Sequence, residues 1–237
     1  MPHLNSSIHP LEGFHPTLTT TIHFGDLPQP SECSLHLYYD LPSLVFFDPY
    51  ELANYDDFFT FQKWGNSNLE LPVTALDSTD GSQLLLNVKF DKLRLRENLD
   101  VKLPLHMRYG DPAQAKDGYH LVGLEEPRGI LACPLDSKHT TRRKGLLPAS
   151  DPRTYRTEVA STLLSQSQKT FFDIAPLPNS NQQHHELTLR VPVGTTSDLL
   201  FVELGTTITI LSCFFYLLHV SWGVTKKLAV VKRLKGE

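Results

Sequence analysis

The feature that most constrains this chain is an apolar run near its C-terminus. Between Glu203 and Lys226 there is no Asp, Glu, Lys or Arg, and the run contains ILSCFFYLL. A helix rises about 1.5 Å per residue, so an uncharged run of this length crosses a hydrocarbon core of roughly 30 Å. The expectation is a single transmembrane helix over residues 199–225 and a basic tail over residues 226–237. Residues 1–196 then have to fold in water on one side of the bilayer.

Charge placement predicts which side. Lys226, Lys227, Lys232, Arg233 and Lys235 follow the run, whereas Asp198 and Glu203 precede or open it. Cytosolic flanks of membrane helices carry the excess of Lys and Arg, so the tail is expected in the cytosol and the large domain in the lumen. A tail-anchored chain with its domain in the cytosol is the competing topology. The N-terminal stretch MPHLNSSIHPLEGFHP lacks the charged and apolar regions of a signal peptide. A luminal domain therefore implies either a removed signal or an unusual route into the secretory pathway.

The water-exposed part reads as all-β. Short runs rich in β-branched and aromatic residues, among them TLTTTIHF, SLHLYYDLP, LVFFDPY, FFTFQKW, LELPVTAL, QLLLNVKF, YHLVGL, KTFFDIAPL and HELTLRVPVG, are separated by Pro, Gly and Asp. Together with LDVKLPLHMRY they suggest two packed sheets, a β-sandwich. In that last run Leu99, Val101, Leu103, Leu105 and Met107 share one face, and Asp100, Lys102, His106 and Arg108 the other. Pro104 cannot donate to a ladder and implies an edge or a bulge. Residues 137–169 break the pattern as a polar, basic excursion, with a short helix expected in RTEVASTLLSQS and no role beyond linkage. VPVGTTSD reads as the hinge into the helix.

Composition narrows the function classes. The 22 Lys and Arg against 26 Asp and Glu give a net charge of -4, which leaves no basic excess for a nucleic-acid partner. No G-x-S-x-G, H-E-x-x-H, P-loop, G-x-G-x-x-G, D-x-D or C-x-x-C pattern occurs. His184 and His185, followed by Glu186, point to opposite faces of a strand and do not converge on one ion. His3, His9, His15 and His23 read as surface residues, and the acidic pairs Asp56–Asp57 and Glu125–Glu126 as turn residues. No catalytic, metal or cofactor site is expected. Cys33 and Cys133 are either one disulfide or two unrelated buried thiols, with Cys213 left in the apolar run. The sequon at Asn5 is an N-glycosylation acceptor if the domain is luminal. Gly205, Thr209 and Ser212 fall near one face of the helix as a candidate packing stripe.

Three segments occur together in a known order: FFDPYELA (46–53), LPLHMRYGDP (103–112) and LRVPVG (189–194), just ahead of the helix. In this the chain resembles the PIG-X family and its fungal counterparts, the accessory subunit of glycosylphosphatidylinositol mannosyltransferase I. The resemblance implies an endoplasmic-reticulum membrane glycoprotein whose luminal domain binds and stabilises PIG-M, the multi-span catalytic subunit. That enzyme adds the first mannose, from dolichol-phosphate-mannose, to the glucosaminyl-phosphatidylinositol precursor of GPI anchors. The family motif carries over onto Asp48, Pro49, Tyr50, Glu51 and Leu52, and onto Pro104, His106, Arg108, Tyr109 and Pro112. It also implies a disulfide between Cys33 and Cys133. Asp48 before Pro49 suits a capped turn, Tyr50 and Tyr109 suit core or interface positions, and Arg108 is placed to pair with Asp48 or Glu51. These residues are expected to stabilise the fold or to form the docking face. The rival class is a single-pass adhesion or cargo-receptor ectodomain that binds a soluble ligand.

Overall fold

The computed structural model describes residues 2–25, 33–65, 81–89, 98–113, 118–134, 147–148, 157–164, 169–176 and 187–234, and strands dominate them. The expected strand in LELPVTAL and the pair His184 and His185 lie outside the described residues. Two compact units are present: Met1–Asp111 with Tyr119–Val193, and Pro112–Gly118 with Gly194–Glu237.

In chain order the first unit contains β1 (His3–His9), β2 (Thr17–His23), β3 (Ser34–Leu41), β4 (Val45–Phe46), the helical turn α1 (Pro49–Leu52), β5 (Phe59–Gly65) and β6 (Ser82–Val88). It continues with β7 (Asn98–Pro104), β8 (His106–Met107), β9 (Tyr119–Leu124), β10 (Arg128–Pro134), β11 (Leu147–Pro148), α2 (Thr157–Leu164), β12 (Lys169–Ile174) and β13 (Leu187–Pro192). Among the described residues the strands form a three-stranded sheet β1-β2-β7, a six-stranded sheet β11-β12-β10-β3-β6-β5, and two pairs, β13-β9 and β4-β8. Each of these neighbouring strand pairs is antiparallel.

Period-two patterning explains the core. Leu4 and Ile8 of β1, Leu18 and Ile22 of β2, and Leu99, Val101 and Leu103 of β7 turn inward. They join Leu35, Leu37, Tyr39, Leu84, Leu86, Leu131, Phe172 and Ile174 of the six-stranded sheet in one hydrophobic cluster. Val122, Leu124, Leu189 and Val191 of the β13-β9 pair belong to the same cluster. The buried Tyr39 hydroxyl is not orphaned, because it lies 3.2 Å from Thr20 Oγ1. On the outward face of β1, Asn5 and Ser7 of the sequon are exposed, while Ser6 between them is buried.

Pro104 ends β7, an edge strand, as its missing N–H requires. Leu105 and Met107 continue the inward face into β8. Arg108 departs from the alternation: it falls on the face of Asp100 and Lys102, which are exposed, yet is itself 5% exposed. Strand geometry ends at Met107, so alternation no longer governs its side chain.

Cys33 and Cys133 form a disulfide that ties the start of β3 to β10. The short helix expected in the basic excursion is α2, but it is no mere linker. Val159 and Leu163 are buried against Tyr38, Leu85 and Ile130, the outward face of the six-stranded sheet, with Trp64 and Phe171 at the margin.

In the second unit, the Ala113 N–H donates to Gly194 O at 2.8 Å and the Thr196 N–H to Ala113 O at 3.1 Å. A single-turn 3₁₀ helix, Thr196–Asp198, then leads into α3 (Leu199–Leu234). The stretch Thr196–Ala229 is 34 residues long, apolar enough to cross a membrane, and none of it is buried inside the protein. At 1.5 Å per residue this is about 51 Å, more than the roughly 30 Å needed to cross a hydrocarbon core.

Candidate docking site

The segment DPYEL is ordered by its own chemistry. Asp48 is the N-cap of α1, and its Oδ1 accepts from the Tyr50 N–H at 2.8 Å. Pro49 occupies the first helical position, where its missing N–H costs nothing. Leu52 donates its N–H to Asp48 O at 2.9 Å and is buried in the core, which anchors the turn. Tyr50 is left pointing out at 81% exposure, and Glu51 faces β8.

His106 on β8 receives it. Its Nε2 is 2.7 Å from Glu51 Oε2, and its Nδ1 is 2.9 Å from His15 Nδ1. A carboxylate accepts, so Nε2 carries the proton; in the neutral ring Nδ1 is then the acceptor, and His15 donates. The His106 ring also stacks on Phe46, with centroids 5.4 Å apart and planes at 18°. Phe46 also carries the Arg108 guanidinium 4.5 Å from its ring centroid. Arg108 Nε donates to Ser43 O at 3.2 Å and its backbone N–H to Leu44 O at 2.9 Å. Burial pulls the pKa of Arg108 below the ordinary guanidinium value.

The link between β1 and β2 completes the floor. Met107 N–H donates to Phe14 O and Leu105 N–H to Pro16 O, each at 2.9 Å, which fixes Phe14 and His15 beside β8. Tyr109 packs on Phe14 at 4.7 Å between centroids, yet remains 77% exposed. Two tyrosines thus stand clear of a rigid base made by Phe14, Phe46, His106 and Arg108.

Of the motif residues, Asp48, Pro49, Tyr50, Glu51, Leu52, His106, Arg108 and Tyr109 meet here. Neither tyrosine fills the core, and a hydrogen bond between His106 and Glu51 staples the two segments. Pro104 terminates β7 and Pro112 opens the second unit. In α3 the hydroxyls of Thr209 and Ser212 donate to Gly205 O at 2.8 Å and Ile208 O at 2.7 Å, so both are satisfied within their own helix. Sequence reasoning missed Phe14 and His15, whose partners lie far along the chain; the G-F-H-P context gave no signal for either. Asp56 pairs with Lys89 at 2.9 Å, and among the described residues no group of three His, Cys, Asp or Glu is arranged to hold a metal.

Fold and site together define a class: a β-rich domain with a helix long and apolar enough to span a membrane, presenting exposed aromatic side chains on a packed base. The family follows from sequence comparison. The chain belongs to the PIG-X / PBN1 family, whose profile matches residues 11–222. It is 28% identical over 248 residues to Protein pbn1 of Emericella nidulans, covering 96% of this chain and 44% of that protein. It is 26% identical over 188 residues to Protein PBN1 of Debaryomyces hansenii, covering 78% and 37%. With Protein pbn1 of Schizosaccharomyces pombe it shares 31% identity over 134 residues, covering 53% and 39%. The chain therefore spans less than half the length of these curated relatives.

Proposed function

We propose that this chain is a non-catalytic subunit of the endoplasmic-reticulum GPI mannosyltransferase I complex, which adds the first mannose of GPI anchors. Its β-rich domain, read as a two-sheet sandwich, lies in the lumen, and its C-terminus in the cytosol. The domain holds the multi-span catalytic subunit, PIG-M, in a stable form, and the chain itself contributes no reacting group. Family membership supports the pathway. One observation carries the docking role: Tyr50 and Tyr109 belong to the family motif, yet are 81% and 77% exposed on a base locked by Glu51, His106, Phe46 and Arg108. Large aromatics with few rotatable bonds, standing out of a preorganised base, suit a protein partner, because the base needs no further ordering on binding.

The test is to tag the full chain in its native membrane, solubilise it gently, identify what co-purifies, and follow the mannosyltransferase after deletion. Co-purification of the multi-span enzyme, and its disappearance on deletion, is the expected result. An enzyme that neither associates nor changes in amount refutes the reading and leaves the ligand-binding ectodomain as the working alternative.

A further inference from the structure

Among the described residues no strand pairs with the outer edge of β9 in the β13-β9 ribbon. Arg190 on β13 donates its N–H to Leu11 O at 2.9 Å and accepts from the Gly13 N–H at 3.1 Å, so both its backbone groups face away from β9. Its partner across the ladder is Leu121. In an antiparallel pair, residues opposite one another turn their backbone groups both toward or both away from each other. The N–H and C=O of Leu121 therefore point out of the ribbon, and by alternation so do those of Gly123 and Tyr119. Pro192, opposite Tyr119, fits the same alternation, because no inter-strand donor is needed there.

Side chains reinforce this reading. Leu121 is 70% exposed. Tyr119 beside it lies under the Arg190 guanidinium at 4.3 Å, which Glu12 holds at 2.7 Å. Other described edges carry the usual blunting features: Asp100, Lys102 and Pro104 on β7, Lys63 on β5, and on β1 a bond from the Leu4 N–H to Ala175 O. No charged residue lies between Tyr119 and Leu124. This strand also abuts the tyrosine site, since the His120 Nε2 contacts Asp111 O at 2.8 Å and a Cβ on Gly110 would meet His120 Cδ2 at 3.2 Å.

We propose that the outer edge of β9 is a strand-addition site for an extended luminal segment of the catalytic subunit, with an apolar side chain set against Leu121. The proposal rests on the subunit reading above. Unpaired main-chain donors and acceptors call for a polypeptide in extended form, and alternate side chains supply selectivity. Continuity with Tyr109 through Gly110 and Asp111 lets one partner loop cover both surfaces.

The experiment uses the full chain in native membranes with a photo-crosslinking residue at position 121, alongside the variants Leu121→Lys and Leu121→Pro. Lys adds a charge and leaves the backbone intact. Pro deletes only the outward N–H, so neither change removes a ladder bond. Crosslinking to the multi-span mannosyltransferase, and about a tenfold loss of co-purified enzyme in each variant, is expected. If the enzyme co-purifies but position 121 never crosslinks to it and both variants retain it, the edge proposal is overturned while the subunit reading survives. Crosslinking of this chain to a second copy of itself overturns the proposed occupant. Failure of the wild-type chain to bring down the enzyme overturns both readings.

Discussion

Replacing Leu52 and the two exposed tyrosines separates the stabilising half of the motif from the docking half. Leu52 is 1% exposed inside the main core. Truncating a fully buried Leu to Ala costs roughly 2–5 kcal/mol, through lost burial and the cavity left behind. In a domain of this size each kcal/mol moves the unfolding midpoint by roughly 2–4 °C, so Leu52→Ala should lower it by roughly 4–20 °C. Tyr50 buries little, and its loss should change stability by no more than about 0.5 kcal/mol. Tyr109→Ala loses one tilted contact with Phe14, which at an exposed site falls near the low end of roughly 0.5–1.5 kcal/mol. The assay pairs thermal unfolding of the full chain in detergent with recovery of the mannosyltransferase from membranes. Tyr50→Ala combined with Tyr109→Ala should keep a near-native midpoint and lose most of the enzyme. If the double variant unfolds as early as Leu52→Ala, the rings are structural. If it is stable and retains the enzyme in full, they are not the docking surface.

Burial, reinforced by Lys169, holds the His36 imidazole neutral, with its pKa pulled from 6.5 down to about 4. Over most of that range the unfolded chain binds the proton and the folded one does not, so stability falls as pH drops, by about 2 kcal/mol from pH 6.5 to pH 4.5. His36→Gln should flatten that part of the profile, and equal acid slopes for variant and wild type would refute the assignment. Cys33 and Cys133 close a loop with a sequence separation of 100, so changing both to Ala should cost about 4–5 kcal/mol on the chain-entropy account; unfolding of the oxidised protein beside the variant checks it. A luminal domain exposes Asn5 and Ser7 to the glycosylation machinery. Glycosidase treatment should then shift the wild-type band but not that of Asn5→Gln, whereas an unmodified Asn5 in a chain whose tail is also protease-protected would contradict the orientation.

Much of the fold was legible where local chemistry and tertiary packing agree. The alternation from Leu99 to Met107, the edge position of Pro104, the Asp48 cap and the apolar helix all follow from side-chain period, proline and length. Besides the two-residue β11 in the basic excursion, β1 and β10 escaped notice, for opposite reasons. In β1 the inward positions include Ser6, buried between Leu4 and Ile8, so the hydrophobic signal is thin and pairing with β2 makes the strand. Within β10, Ile130, Leu131, Ala132 and Cys133 are all buried, because the core lies on one face while Ile130 packs with α2 on the other. A central strand covered on both sides loses its alternation. The candidate site was half legible: the motif residues were identifiable, but the contact of His15 with His106 joins positions 91 residues apart, and no short-range pattern encodes it.

That division bears on how the motif works. Glu51 and His106 lie 55 residues apart in sequence and are joined by a 2.7 Å charge-assisted contact that is only partly exposed. Phe46 and His15 hold the same imidazole on other sides, and Arg108 in turn packs on Phe46. Ordering this many groups costs conformational entropy, which is supplied when the domain folds rather than when a partner arrives. A docking surface prepared in this way needs few new contacts. If the partner is itself embedded in the bilayer, α3 also confines the domain near it, so that even a modest interface at Tyr50 and Tyr109 acts at a high effective concentration. Severing α3 from an otherwise folded domain should therefore weaken association far more than any single tyrosine change, even though no contact in the tyrosine site itself is altered.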